Sequence, residues 1–344
     1  VCGGDEVTLT HGSLFSGVGG MDIGFDAAGI ETLWQCEIDA KPRSVLAKHW
    51  PNATRYIDVK DVDGSKVKPV DIITFGSPCQ DLSVAGKRAG LTGARSGLYH
   101  QAIRVIKEMR DATQNQYPKV AIWENVRGAL SSNEGKDFLA AIQALAAIGA
   151  VDISWRVVNA CNFGVPQRRV RVFVVATFGE ERAGEILSKP TRLLWHPKPS
   201  GETEQETAGE VEDSTESGGW TASRSVAHAI TQHIKSGADD NFAQGGHIAF
   251  RMLGFGDYKQ DTTASTVKQR DYKDSTDLVV NDSEVRRLTP RECERLMGWH
   301  DDHTRYDDKG NELSDSSRYK MCGNGIAAPV AQWIGENIVE AYGA

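Results

Sequence analysis

Between Val70 and Gln80 the chain reads Val-Asp-Ile-Ile-Thr-Phe-Gly-Ser-Pro-Cys-Gln, and this stretch constrains the fold more than any other. Its first half is an apolar, β-branched run of the kind that becomes a strand covered on both faces by helices. Its second half, Gly76-Ser77-Pro78-Cys79, is turn chemistry that cannot prolong a strand. Cys79 therefore sits just past the carboxyl end of a buried strand, where open α/β sheets hold their ligands. A lone cysteine in such a place can equally be a half-buried structural thiol. Here an acid, Glu124, and an arginine cluster, Arg169 and Arg171, follow at comparable strand ends, and the chain is read with Cys79 as a nucleophile.

The rest of the amino-terminal half repeats the same unit. A strand over residues 8–15 leads into Ser16-Gly17-Val18-Gly19-Gly20 and a helix that Gly29 ends. A glycine-rich turn there lets a ligand approach the backbone and the helix amino terminus, although tight packing without a ligand explains it as well. The spacing is not G-x-G-x-x-G, which disfavours a dinucleotide. A strand over 32–36 ends at Glu37, and one over 54–57 ends at Asp58, with a helix from Pro42 to Trp50 between them. Each acid alone suits a solvated loop. At successive strand ends beside a glycine turn, they suit the ribose hydroxyls and the amino group of an adenosine. After Cys79 comes a loop rich in Gly and Arg, then a helix over 98–110, a strand over 120–123 leading to Glu124-Asn125-Val126, a helix over 136–148 and a strand over 151–159. Gln167-Arg168-Arg169-Val170-Arg171 opens the apolar strand 172–176, with Arg169 and Arg171 on one side of it. This alternation predicts an α/β doubly wound, mostly parallel sheet.

The pattern changes near Pro190. From Ser200 to Gly219 the chain carries seven acids and no Lys or Arg, so the net charge of −8 becomes −1 once those −7 are set aside. Global charge thus leaves a local basic face possible. Residues 220–280 mix short β-like pieces with basic–aromatic pairs such as Phe250-Arg251 and Tyr272-Lys273, as expected of a second, smaller, irregular β-rich domain. Regularity returns with Thr289-Pro290, the start of a capped helix, and Gly323-Asn324-Gly325 is read as opening a last helix from Pro329 to Tyr342. The six cysteines form no C-x-x-C pair, which fits a reducing cytoplasm and argues against a metal site. No run approaches the ~20 apolar residues of a membrane span, so no membrane partner is expected.

Phe15-Ser16-Gly17-Val18-Gly19-Gly20, Gly76-Ser77-Pro78-Cys79-Gln80, Glu124-Asn125-Val126, Gln167-x-Arg169-x-Arg171, Arg287-Leu288-Thr289-Pro290-Arg291-Glu292 and Gly323-Asn324-Gly325 occur in the order in which they occur in the DNA (cytosine-5)-methyltransferases. The chain resembles that family throughout, apart from the linker and residues 220–280. The resemblance implies a methyltransferase fold using S-adenosyl-L-methionine, held by Phe15, Ser16, Gly17, Gly19, Gly20, Glu37, Ile38, Asp58, Pro78 and Asn324. It makes Cys79 the nucleophile and Glu124 the partner of cytosine N3, with Arg169 and Arg171 facing both. Duplex DNA would be touched by Gln80, Ser83, Arg88 and Arg95 in the loop after the nucleophile. Further contacts would come from Gln167, Arg251, Lys268, Arg270, Arg287 and Thr289. The catalytic domain would be discontinuous, 7–190 with 320–344, and residues 191–319, including the acidic linker 200–219, would recognise the target. A monomer is expected. The last motif is commonly Gly-Asn-Ser in the family, so a hydroxyl near the methionine end of the donor is missing here.

The chemistry accounts for the same inventory. Cytosine C5 attacks a methyl sulfonium only after a thiolate adds at C6 and an acid protonates N3, and a base inside a duplex must first be flipped out. Three alternatives stay open on the residues. An RNA enzyme of the same fold is one, although the Cys-Phe-Thr signature of the transfer-RNA branch is absent. A thiol hydrolase using His49 or His100 would leave Glu37 and the glycine turn unexplained. A DNA-binding module without catalysis would not need Cys79, Glu124 and Arg169. Residues 263–273 resemble segments of phage and prophage members, which suggests a protective enzyme without a paired nuclease.

Overall fold

The computed structural model describes residues 8–77, 97–190, 248–254, 257–260, 264–269, 271, 277–280 and 285–343. Seven strands form one sheet: β1 (Thr10–Leu14), β2 (Glu31–Cys36), β3 (Thr54–Tyr56), β4 (Ile72–Phe75), β5 (Val120–Val126), β6 (Asp152–Asn159) and β7 (Val170–Thr177), in the order β3-β2-β1-β4-β5-β7-β6. The first five run parallel. The apolar residues of β4 and β5 divide between the faces, Ile72 and Ile122 to one cluster and Ile73 and Ala121 to the other. A strand covered on both sides has no polar face to show, hence the unbroken apolar run. Helices α1 (Gly20–Ala27), α5 (Ala183–Ser188) and α8 (Ala328–Tyr342) cover one face, and α3 (Gly97–Ala112) and α4 (Lys136–Ala147) the other.

The sheet is mostly parallel, as the strand–helix rhythm foretells, and β7 is the exception. It lies antiparallel between β5 and β6. Residues 160–169, which join β6 to β7, are too few for a crossover connection, which takes a dozen or more. Helix α2 (Ala40–His49) starts before Pro42 because Asp39 accepts a hydrogen bond from Lys41 N at 3.2 Å and caps it. The helix at Thr289 forms as foreseen: α6 (Pro290–Leu296) carries a capping box between Thr289 and Glu292. One helix was not legible. Helix α7 (Asp315–Asn324) is mostly polar, without the apolar period that announces a helix. Gly323 and Asn324 close this helix instead of opening the last one.

The carboxyl-terminal helix returns to the first. Gly24 of α1 lies so close to α8 that an added Cβ would come within 2.5 Å of Gln332 N. Leu288, Cys293, Leu296, Met297 and Trp299 share the apolar cluster of Val18, Met21 and Phe25, so the stretch after Arg287 packs on the large sheet's layer. A separate antiparallel sheet, ordered β11-β10-β8-β9, comprises β8 (Ile248–Gly254), β9 (Asp257–Gln260), β10 (Asp277–Val280) and β11 (Val285–Arg287). Among the described residues it is joined to the large unit near Ala264, which bridges Gln167, donates to Pro166 O at 2.8 Å and accepts from Arg168 N at 2.9 Å, and through Arg286 of β11, which pairs with Glu292 of α6 at 2.8 Å.

Candidate active site

The residues expected to hold the donor lie at the ends of β1, β2 and β3. Phe15 (φ 58°), Gly17 (φ 57°) and Gly19 (φ 83°) all take the left-handed conformation, which turns the chain sharply into α1. Around Gly17 an added Cβ would meet nothing within 4 Å, so the turn faces open space. Glu37 reaches back to this turn. Its Oε2 accepts from Gly17 N and its Oε1 from Asp39 N, each at 2.8 Å. Burial raises its pKa, against those two backbone donors. Each oxygen keeps a further lone pair, enough for a ribose diol. Ile38 and Ile57, 67% and 58% exposed, leave two large aliphatic chains in solvent beside the acids. Asp58 caps a short 3₁₀ turn by accepting from Lys60 N at 3.0 Å. A half-exposed aromatic, two exposed aliphatics and two carboxylates on a glycine turn fit the apolar face and polar edges of an adenosine. Asn324 is exposed at the end of α7.

The second half lies at the ends of β4 and β5. Glu124 Oε1 is ion-paired with Arg171 Nε at 3.1 Å, both side chains being largely buried. Its Oε2 would lie 3.3 Å from a Cβ placed on Gly76, so the carboxylate faces the turn that leads to Cys79. The antiparallel β7 makes this possible. Its first residues lie beside the last of β5, with Arg171 opposite Val126. The same turn is held from below by Trp123, whose Nε1 donates to Ser77 Oγ at 3.3 Å.

Arg169 and Arg171 point to one side, as the alternation predicts, but they do different things. Arg169 is 3% exposed and donates to Val267 O (3.3 Å), Gly323 O (3.1 Å) and Gly325 O (2.5 Å). It ties three segments together. Gln167, expected to touch DNA, has no exposed surface. Its Nε2 donates to Leu296 O at 2.9 Å and its Oε1 accepts from Val267 N at 3.2 Å. A side chain so committed holds the seam in the structure without DNA. The Thr289 hydroxyl serves α6 as its cap. Lys268, Arg287 and Thr289 are exposed. Pro78, Cys79, Gln80, Ser83, Arg88, Arg95 and Arg270 lie outside the described residues, as does the side chain of Arg251.

The four described cysteines are poor nucleophiles. Cys36, Cys161, Cys293 and Cys322 are all buried and free. Burial pushes the Cys36 thiol up to about 12, and those of Cys293 and Cys322 well above their ordinary value. Cys161 is raised for the same reason. Thiols held that high are protonated at neutral pH.

Three polar residues under the donor turn escape a motif reading. Ser13, Asp22 and Gln35 are all buried, and Asp22 Oδ1 accepts from Ser13 Oγ at 3.2 Å and Gln35 Nε2 at 2.9 Å. The available signal was an acid between Met21 and Phe25, on the inward stripe of a short helix.

A sheet of this order with a glycine turn after β1 and acids at the ends of β2 and β3 defines the class of S-adenosylmethionine-dependent methyltransferases. Two solved structures share the fold. One is a putative DNA modification methyltransferase encoded within an E. coli prophage, with a TM-score of 0.65 and 19% identity over 98% of this chain and all of that one. The other is the S. pombe Dnmt2 methyltransferase, with a TM-score of 0.64 and 15% identity over 98% of this chain and 100% of that one. The profile of the C-5 cytosine-specific DNA methylases matches residues 9–340, and the chain belongs to that family. Among its relatives, Type II methyltransferase M2.BsuMI of Bacillus subtilis is 29% identical over 96% of this chain and 75% of its own length. M.Bsp6I of a Bacillus species is 27% identical over 97% and 99%. A DNA N-6-adenine-methyltransferase of Escherichia phage P1 is 27% identical over 97% of this chain, which spans 61% of that relative.

Proposed function

We propose that the protein methylates C5 of a flipped-out cytosine in duplex DNA through a covalent bond between Cys79 and C6. The observation that carries this reading is the carboxylate of Glu124, clamped by Arg171 and turned toward Gly76, three residues before Cys79. The name of the phage P1 relative denotes an exocyclic amine as acceptor. Such a nitrogen brings its own lone pair and needs no acid at a ring nitrogen, so the clamped acid favours the ring carbon.

S-adenosylmethionine, when bound, supplies an electrophilic methyl group on a sulfonium. Glu37, with Phe15, the 16–20 turn, Ile38 and Asp58, would hold it. The Cys79 thiolate would add to C6 while Glu124, in its protonated form, delivers a proton to N3; the electron pair that addition places at C5 would then bond to the methyl carbon as the methyl–sulfur bond breaks and S-adenosylhomocysteine leaves. Loss of the C5 proton to water would expel Cys79 as a thiolate, and N3 would return its proton to Glu124 as the aromatic ring is restored. Arg171 keeps Glu124 aimed at the base edge, and Arg169 keeps the 323–325 segment against it. Sequence reading is assigned to the variable part before α6, where phosphate contacts set salt dependence and side chains in the major groove set specificity.

The test replaces the C5 hydrogen by fluorine, which permits addition and methyl transfer but blocks elimination. DNA with 5-fluorocytosine at the target should become permanently joined to Cys79 in a donor-dependent way, as seen on a denaturing gel with peptide mapping. Cys79→Ser should abolish the adduct while noncovalent DNA binding survives. An adduct at another cysteine would overturn the assignment. For the donor, Glu37→Ala should weaken S-adenosylhomocysteine binding at least about tenfold, the loss of charge-assisted hydrogen bonds, and leave DNA affinity within twofold; equal losses of both would make Glu37 structural.

A further inference from the structure

Beneath the donor turn lies a polar network without a partner for every atom. Asp22 and Gln35 are fully buried. One pair of their atoms is joined, Gln35 Nε2 donating to Asp22 Oδ1 at 2.9 Å. The other two atoms, Asp22 Oδ2 and Gln35 Oε1, have no hydrogen-bond partner. Both are acceptors when the acid is ionised, and two orphan acceptors in an enclosed site are costly. A single proton on Oδ2 satisfies both. The carboxylic acid then donates to the amide oxygen while accepting from the amide nitrogen, two antiparallel bonds closing a ring.

The network has a direction. Cys36 N donates to Ser16 Oγ at 3.1 Å, Ser16 and Ser13 hydroxyls meet at 2.5 Å, and Ser13 Oγ donates to Asp22 Oδ1 at 3.2 Å. Ser16 is the first residue of the glycine turn, and its carbonyl accepts from Gly19 N at 2.9 Å. The state of Asp22 is thus connected through two hydroxyls to the backbone that faces the donor. We propose that Asp22 is a positioning residue for the donor turn, that it works as a neutral carboxylic acid paired with the Gln35 amide, and that its ionisation loosens the turn and weakens donor binding. This rests on the reading of the turn as the donor site.

The surroundings favour the neutral form. Burial raises the Asp22 pKa to about 6, and Asp26, one turn along α1, adds to it; the Gln35 amide, its own backbone N–H and the Ser13 hydroxyl act the other way. Asp26 is itself raised by burial and spends Oδ2 on Trp50 Nε1. On β1, His11 is buried between Thr32 and Thr74, and burial lowers its pKa to about 3, so it offers no cation. On β2, Thr32 and Gln35 are neutral. For an acid raised on folding, the stabilisation is complete below its unfolded pKa and is lost as pH rises through the folded value. Stability and donor affinity should therefore fall between pH 5 and pH 8.

Asp22→Asn isolates the effect, because its amide can donate to Gln35 Oε1 while its oxygen keeps the other bonds, at every pH. The measurements are thermal unfolding and S-adenosylhomocysteine binding by calorimetry at pH 5.5 and 8, on the full chain. The variant should match the wild type at pH 5.5, and at pH 8 bind several-fold tighter and melt higher, with a flattened pH profile. Gln35→Met, which removes the partner, should weaken binding at both pH values. A D22N protein with the wild-type pH profile, or one that binds more weakly at pH 8, overturns the proposal. Should D22N not fold, Q35M with unchanged affinity and melting does so. If wild type binds no S-adenosylhomocysteine at any pH, the donor-site reading fails, and the unfolding profiles still decide whether Asp22 is paired as an acid.

Discussion

Replacing Glu124 with Gln should slow methyl transfer by about 10²–10⁴-fold, the usual worth of a positioned general acid. Gln retains the size of the side chain and an oxygen for Arg171, so the fold and the β5–β7 edge stay as they are. What disappears is the carboxyl group that can carry a proton to N3 and that, when ionised, faces the guanidinium at 3.1 Å. Without protonation the C6 adduct must carry its charge on the ring, and its formation becomes limiting. Single-turnover transfer of a labelled methyl group to a cognate duplex reads the loss directly. Donor binding should be unchanged within twofold. A rate within threefold of the wild type would remove Glu124 from the chemistry and reduce the Glu124–Arg171 pair to a structural tie.

Replacing Arg169 with Met should cost about 3 kcal/mol or more of folding stability, a loss of a different kind. Three carbonyls lose a donor, those of Val267 and Gly325 buried and that of Gly323 partly so, and each buried group left unpaired costs about 1–3 kcal/mol. Met keeps most of the apolar stem, so the deficit reports hydrogen bonding and charge more than volume. Denaturant unfolding monitored by the tryptophans measures it, and Arg169→Lys should recover only part, since an ammonium cannot match the planar fork. Stability equal to the wild type would mean that the carbonyls find other donors. If activity fell while stability held, Arg169 would belong with the reacting groups.

What the sequence disclosed and what it hid follow from the range of the forces. The places of Glu37 and Asp58 just past β2 and β3, and of Glu124 near the end of β5, were readable because a strand's end and the turn after it are written in adjacent residues. The Thr289 cap is equally local, whereas Asp39, the cap of α2, was passed over for Pro42. Which strand of the mostly parallel sheet runs the other way depends on a connection length and on what lies beside it, and the strand–helix rhythm does not single out β7. Gln167 and Arg169 show the limit more sharply. They stand in the same five-residue motif as Arg171, yet their partners are Leu296, Val267, Gly323 and Gly325, 98 to 156 positions away in the three Arg169 contacts. No local pattern names such partners. Helix α7 was hidden for the converse reason: with Ser317 and Arg318 buried, its inward face is partly polar.

The seam at Ala264 bears on how such a protein changes its target over evolutionary time. The two backbone bonds to Pro166 and Arg168 and the Gln167–Val267 contact occupy a few residues in the middle of the variable segment. Gly323 presses against Lys268 and Gln269 so closely that a Cβ would come within 2.1 Å of Gln269 N. The strands before the anchor and those after it pair with one another, β8 with β10, in a single sheet. If this segment reads the target, as proposed, an exchange of specificity would have to carry both sides together and keep the backbone bonds to Pro166 and Arg168.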